Sequence, residues 1–239
     1  MDPVASPPHL SPAEFYSACT ALVETYDSLN IASVTAKWTS VGLQAPNGTH
    51  ILRITRELPQ WKEQGSHAQV YTGPGNAHDP LEDDEHEEED EEALVVPHPP
   101  TPLIHYDILL SPTYRVPTLY FHISDPLHRF PPTMSTLYAH LVAPAYVDQT
   151  KDVGVVGGIT VADHPVENRP VFFVHPCRTA EVMEASAGGI EILPFEYLTM
   201  WIGAIGKSVG LDVPIEVVAW AKEKEIGMHR ETGREFPSL

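Results

Sequence analysis

Cys177 is the residue most able to do chemistry in this sequence. It stands in Val171-Phe-Phe-Val-His-Pro-Cys-Arg-Thr-Ala-Glu-Val-Met183, where a strand-like apolar run stops at His175-Pro176 and a short helix opens behind the cysteine. A thiol at such a turn sits at the edge of a core, where a nucleophile can be reached; as thiolate, sulfur attacks acyl carbons well and leaves them well. The helix N-terminus and Arg178 place positive potential near the sulfur, and Glu181 and Glu184 place negative potential there. The same segment also fits a small residue that merely fills a corner. Cys19, the other cysteine, recurs with Phe15, Ala18, Leu22, Val23 and Tyr26 on one face of a helix, which marks it as structural.

Other chemistries are weaker. Gly206-Lys207-Ser208 mimics the end of a phosphate loop, but that pattern needs a glycine where Trp201 stands, and the tripeptide falls inside a helical pattern. His164, His175 and Cys177 could be imagined around a metal, yet they show neither finger nor metalloprotease spacing. A cysteine hydrolase would draw a histidine base from remote positions, and no local protease signature surrounds Cys177. No second cysteine lies nearby to resolve a disulfide.

Composition narrows the setting. The chain has 239 residues, 24 prolines and a net charge of −19, enough length for one sizeable core. Ten of the acidic side chains lie between Glu82 and Glu92, and without them the charge is about −9. The 14 scattered basic residues argue against nucleic acid, which needs clustered Lys and Arg. Two cysteines make no disulfide framework. The start, Met1-Asp-Pro-Val-Ala-Ser-Pro-Pro, has no basic region followed by an apolar run. The longest apolar candidate for a span, Tyr197 to Gly206, is roughly half the ~20 residues a bilayer requires. These features predict a cytoplasmic protein without stable membrane insertion.

The elements that must position Cys177 read as follows. Ser11-Pro12-Ala13-Glu14 is a capping box that opens a helix. Strands are predicted near Ser33 to Val41 and Thr49 to Glu57, joined by Ala45-Pro46-Asn47-Gly48, with His67 to Tyr71 as a further candidate. Residues 73–102 are rich in turn formers and charge and cannot bury enough apolar surface to offset ordering, so a disordered acidic insertion is expected. A hairpin follows, with Leu103 to Leu110 half-buried by alternation and Val116 to Ile123 behind the Ser111-Pro-Thr-Tyr turn. Thr133 to Leu141 reads as a short helix turning Leu137 and Leu141 inward, and Gly157 to Asp163 as extended. Thr179 or a neighbour is expected to cap a helix ending near Gly188-Gly189. Leu193-Pro194 opens a longer one carrying Tyr197, Leu198, Trp201, Ile202 and Ile205, stopped by Gly210. A final amphipathic stretch, Ile215 to Lys224, carries Val218 and Trp220, and 227–239 is expected to fray. Strands followed by helices indicate an α+β fold, with about four antiparallel strands.

Several of these segments, taken together, resemble a family. His175-Pro176-Cys177-Arg178-Thr179 is similar to the active-site motif of the autophagy E2-like conjugating enzymes. Gly158 to Pro165 looks like the segment ahead of that cysteine, and Tyr106-Asp107 with Ser111 to Pro117 and Leu119-Tyr120-Phe121 like the central hairpin. Tyr197 to Trp201 and Gly210 to Pro214 follow the C-terminal helix and its exit, so the resemblance runs from about Leu103 to Pro214.

The resemblance implies a single E2-like (ubiquitin-conjugating-enzyme-like) domain over 1–239. It implies that Cys177 carries a ubiquitin-like modifier, autophagy-related protein twelve, as a thioester. The modifier would come from the E1-like autophagy-related protein seven and pass to a lysine of autophagy-related protein five. The branch that joins its modifier to a lipid typically carries a membrane-sensing N-terminal helix and a longer insertion, which this sequence lacks. His175 is expected either to orient the thioester and assist the amine or only to bind the loop. Thr179, Tyr106 and Arg178 are weaker candidates. No cofactor or metal is implied. Ordinary ubiquitin E2 enzymes have a His-Pro-Asn motif upstream, and none occurs here. A non-catalytic adaptor with the same fold and a cysteine hydrolase remain as other readings of these residues.

Overall fold

A computed structural model describes residues 2–29, 38–59, 100–152 and 158–220. The candidate strand His67 to Tyr71, almost all of the acidic insertion and the tail 227–239 lie outside those residues. Helix α1 spans Pro12–Ser28 and opens as its sequence requires. The Ser11 hydroxyl accepts from the Glu14 amide at 3.2 Å, and the Glu14 carboxylate returns the bond to the Ser11 amide at 2.6 Å. Its buried face is Phe15, Ala18, Cys19, Leu22 and Thr25, with Val23 and Tyr26 packed at the margin.

Among the described residues six strands form one antiparallel sheet in the order β1-β2-β3-β4-β6-β5. They are β1 (Ser40–Gln44), β2 (Ile51–Glu57), β3 (Leu103–Leu110), β4 (Pro117–Ser124), β5 (Ile159–Asp163) and β6 (Pro170–Val174). The expected α+β class holds, but the sheet has six strands rather than about four. Of the strand predicted near Ser33 to Val41, residues 33–37 lie outside the described residues, and the described strand runs from Ser40 to Gln44. The hairpin behind it closes where expected, with Asn47 at φ 52° and Gly48 at φ 78°, the left-handed pair that suits a tight hairpin.

The sheet's inner face carries Ile54, Tyr106, Phe121 and Phe172, aligned across four strands and buried against the helices. Between β4 and β5 the chain makes helix α2 (Met134–Thr136), a wide turn at Leu137–Leu141 and helix α3 (Val147–Asp152). Leu137 and Leu141 are fully buried, as the sequence indicates. Helix α4 (Thr179–Ala187) follows β6, and helix α5 (Pro194–Ile205) packs on α1 and buries Tyr197, Leu198, Trp201 and Ile202. A 3-10 turn, Gly206–Val209, closes α5, so Gly206-Lys207-Ser208 is a helix end. A Cβ on Gly206 would meet the Leu211 carbonyl oxygen at 2.7 Å, and Gly210 takes φ 76°; both positions require glycine. Residues 215–220 are helical, and the buried side chain there is Val217 rather than Val218 or Trp220.

The outer face departs from the alternation read in β3. Asp107 is 1% exposed, because the β5–β6 turn, residues 164–169, folds back over that face. Arg53 donates to both Asp107 carboxylate oxygens, at 2.7 and 2.6 Å, and to Glu167 at 2.6 Å. Arg169 bonds Glu167 and lies 3.1 Å from Nδ1 of His122, which stacks on His105. No helix among the described residues is long and apolar enough to cross a membrane.

His122 is held neutral: burial first, then the Arg169 charge and His105, bring it down to about 3. An unfolded histidine titrates near ~6.5. Between these values the unfolded chain binds the extra proton, so stability is present above ~6.5 and is lost as pH falls toward about 3. We expect His122→Asn, which still accepts from Arg169 but does not titrate, to flatten this limb by up to about 1.4 kcal/mol per pH unit. Urea unfolding at pH 7, 6, 5 and 4 measures it, and an unchanged slope in the variant would refute the assignment.

Candidate active site

Strand β6 lies between β4 and β5 and delivers the cysteine to the sheet's end. Val174 pairs with Leu119 on one side and Ile159 on the other, and the His175 amide adds one more bond, to the Gly158 carbonyl at 3.3 Å. Pro176 has no amide hydrogen and cannot continue a ladder. The chain instead takes a 3-10 turn, Pro176–Arg178, with Cys177 at its centre. Nδ1 of His175 accepts the Cys177 amide at 3.2 Å and caps the turn. The Thr179 amide donates to the Pro176 carbonyl, and α4 starts there.

Cys177 is partly exposed, whereas Cys19 is wholly buried, and burial pushes the Cys19 thiol far up. The His175 ring stands between two others, edge-on to Phe173 and to Tyr114, with centroids 5.8 Å away in each case. Since Nδ1 takes the backbone hydrogen, the neutral ring carries its proton on Nε2. Arg178 is exposed, and its Nε lies 3.5 Å from the Glu181 carboxylate. Such a surface pair contributes little.

Two other sequence candidates stand differently from expectation. Thr179 is the first residue of α4 and is 3% exposed. The neighbouring Arg178 occupies the capping position, without a side-chain bond. Tyr106 faces the inner core, fully buried, and its hydroxyl donates to the Val209 carbonyl at 2.7 Å. Burial pushes its phenol well up. It ties the sheet to the end of α5, whereas His175 meets rings of the outer face.

A groove of about 350 Å³ begins at His175 and Pro176 and runs over the outer face past Phe173, Tyr120, Thr118 and Tyr114. Thr118 is 4% exposed, and its hydroxyl has no hydrogen-bond partner among the described residues. Pro165 and Val166 of the β5–β6 turn form part of the wall.

His164, weighed from sequence only as an imagined metal ligand and as part of the family stretch, anchors this wall. It is 0% exposed; Nδ1 accepts the amides of Val166 and Glu167 at 3.3 and 3.1 Å, and Nε2 faces Asp107 at 3.4 Å. Burial first lowers its basicity, opposed by Asp107. With these lone pairs committed, His164 and His175 are poorly placed to ligate a metal. Among the described residues no cluster of three or more His, Cys, Asp or Glu side chains could hold one. The sequence signal for the network was limited to Asp107 and His164 each lying within a family-like segment.

Comparison with known proteins adds the following. Residues 14–216 match the model of the family described as autophagocytosis associated protein, active-site domain. A protein named ubiquitin-like-conjugating enzyme ATG10 from Gibberella zeae is 37% identical over 134 residues, 55% of either chain. A human protein of that name is 30% identical over 122 residues, 50% of this chain and 54% of that one. The chain thus spans about half the length of the curated relatives it matches. A solved structure titled autophagic E2, Atg10, aligns with a TM-score of 0.37 at 15% identity, over 83% of this chain and 97% of that one. That likeness is too slight to add to the strand order given above. The family model covers both the inner core and the Cys177 turn, and the chain belongs to the autophagocytosis-associated active-site-domain family.

Proposed function

We propose that this chain is an E2-type acyl carrier that receives a ubiquitin-like modifier as a thioester on Cys177 and passes it to a lysine. The supporting observation is the partly exposed thiol at the centre of a turn whose amide is held by His175. The relatives' printed name supports the reaction class. In the first step the Cys177 sulfur attacks the carbonyl of the modifier's thioester on an E1-like enzyme and releases the E1 thiol. In the second a lysine amine attacks the new thioester carbonyl, the C–N bond forms, the C–S bond breaks, and Cys177 regains its proton. The resemblance assigns the E1 role to autophagy-related protein seven, the modifier to protein twelve and the target to protein five. No cofactor enters, since the E1 spends the ATP.

His175 serves this scheme as a donor. Its Nδ1 lone pair is committed to the Cys177 amide, so Nε2–H can bond the thioester oxygen as charge develops there. Deprotonating the amine through Nε2 would need the other tautomer and loss of that backbone bond. The same commitment removes His175 as a base for the thiol, so the hydrolase reading would need a histidine from elsewhere in the chain. Arg178 and Thr179 have no assigned step.

Three results test this. Cys177→Ser gives an oxyester with the modifier that survives reductant on a gel, while the wild-type adduct does not. Cys177→Ala gives neither, and an adduct persisting in that variant sinks the assignment. Iodoacetamide modifies Cys177 of the native protein at least about tenfold faster than Cys19, read by peptide mass spectrometry; equal rates contradict the contrast in burial. His175→Asn, whose side-chain oxygen still accepts the Cys177 amide, loads normally but discharges onto lysine about tenfold more slowly or worse. Discharge at the wild-type rate would remove His175 from the chemistry.

A further inference from the structure

We propose that His164 is a positioning residue for the Cys177 turn: it holds the groove wall and, through a file of rings, the orientation of His175. This rests on the acyl-carrier reading. The file is continuous. The His164 ring meets Tyr120 edge-on at 5.3 Å, Tyr120 lies on Phe173 at 4.9 Å, and Phe173 meets His175 at 5.8 Å. His175 in turn binds the Cys177 amide. Tyr120 and Phe173 are register partners across β4 and β6, so the backbone on both sides fixes the middle of the file.

The far end is equally fixed. His164 is fully buried, its Nδ1 holds the two amides of the turn, and its Nε2 faces Asp107. Asp107 is gripped by both branches of the Arg53 guanidinium. Asp107 and Arg53 lie in the middle of β3 and β2. The imidazole therefore refers the Cys177 turn to the sheet's centre.

The burial itself calls for a reason. Closing a six-residue turn takes no more than an acceptor for its amides, which a half-exposed asparagine supplies. An imidazole fully buried beside a buried carboxylate is a costly substitute, since each polar group must be compensated where water is absent. What the imidazole adds is a rigid ring that meets Tyr120, while its Nε2 lies 3.4 Å from Asp107 and makes no hydrogen bond among the described residues. The turn amide it holds belongs to Val166, which with Pro165 lines the groove alongside His175 and Pro176. One side chain thus sets both the wall of the groove and the ring at its end. Loss of such alignment, on the order of 1 Å, can slow a reaction by about a hundredfold without disturbing binding as much.

The test uses the full chain with His164→Asn, which keeps an acceptor where Nδ1 stands, His164→Gln, which keeps a donor toward Asp107, and His164→Ala. Single-turnover discharge of loaded Cys177 onto free L-lysine is followed with melting temperature, iodoacetamide reaction at Cys177 and the imidazole NMR shifts of His175. We expect His164→Ala and His164→Gln to slow discharge at saturating lysine about tenfold, with the half-saturating concentration changed less than about threefold. His164→Asn, which closes the turn but has no ring to meet Tyr120, should slow discharge by a similar factor, and wild-type discharge in it would overturn the proposal. The His175 ring shifts should move in the slow variants. The double variant with His175→Ala should be no slower than His175→Ala alone.

Wild-type discharge in His164→Gln would overturn the proposal, as would multiplying penalties in the double variant. Lowered melting temperatures with an unchanged rate per folded molecule would also overturn it. If His164→Ala does not fold, the Asn and Gln pair decides by itself. If the wild-type chain carries no modifier at all, the acyl-carrier reading fails. The iodoacetamide rates and His175 shifts then still decide whether His164 sets the Cys177 turn.

Discussion

A carboxylate buried in the middle of a sheet constrains this structure more than any other group. Asp107 is 1% exposed on β3, and removing a charge from water is tolerable only where partners surround it. Arg53 from the neighbouring strand supplies two bonds. Its remaining reach, to Glu167, draws in the β5–β6 turn, and Arg169 and His164 come with it. The turn therefore covers a face that an antiparallel sheet commonly leaves to solvent. Removing either Asp107 or Arg53 would strand the other, so the pair is a liability unless complete.

The two faces of the sheet divide the work between them. The inner face is apolar and continuous, from Ile54 through Tyr106 and Phe121 to Phe172, and α1 and α5 bury it. That burial, not the polar network, drives folding. The outer face carries the polar lattice and the groove, which ends at His175 and Pro176 beside Cys177. Neighbouring residues of a strand accordingly have unrelated duties: Tyr106 closes the core on Val209 while Asp107 anchors the turn.

Much of the frame was legible in the sequence because its signals are local. The capping box at Ser11 to Glu14, the Asn47-Gly48 hairpin and the run from Val171 to Pro176 each act over a few residues. Cys19 was legible as structural from helical spacing alone, and it is fully buried. What was not legible depended on distant partners. Alternation in β3 predicted a solvent face, and only a turn 57 or more residues downstream covers it. His164 and Asp107 likewise carry no mutual signal in a single chain. Tyr106 misled for a related reason: a tyrosine in a family-like segment can serve chemistry or the core, and the parity of the strand, known only with its register, settles which face it takes.

The backbone of the Cys177 turn has a chemical consequence of its own. The His175 amide is bound to Gly158, Pro176 has none, the Cys177 amide is bound to His175, and that of Thr179 to Pro176. Many acyl-transfer sites meet a developing negative oxygen with main-chain N–H groups. Here most of the nearby main-chain donors are already spent on making the turn. In the proposed transfer, stabilisation of that oxygen would fall chiefly to side chains, whose identity can change without rebuilding the backbone. A site organised in this way can have its rate retuned one residue at a time while its nucleophile stays where it is.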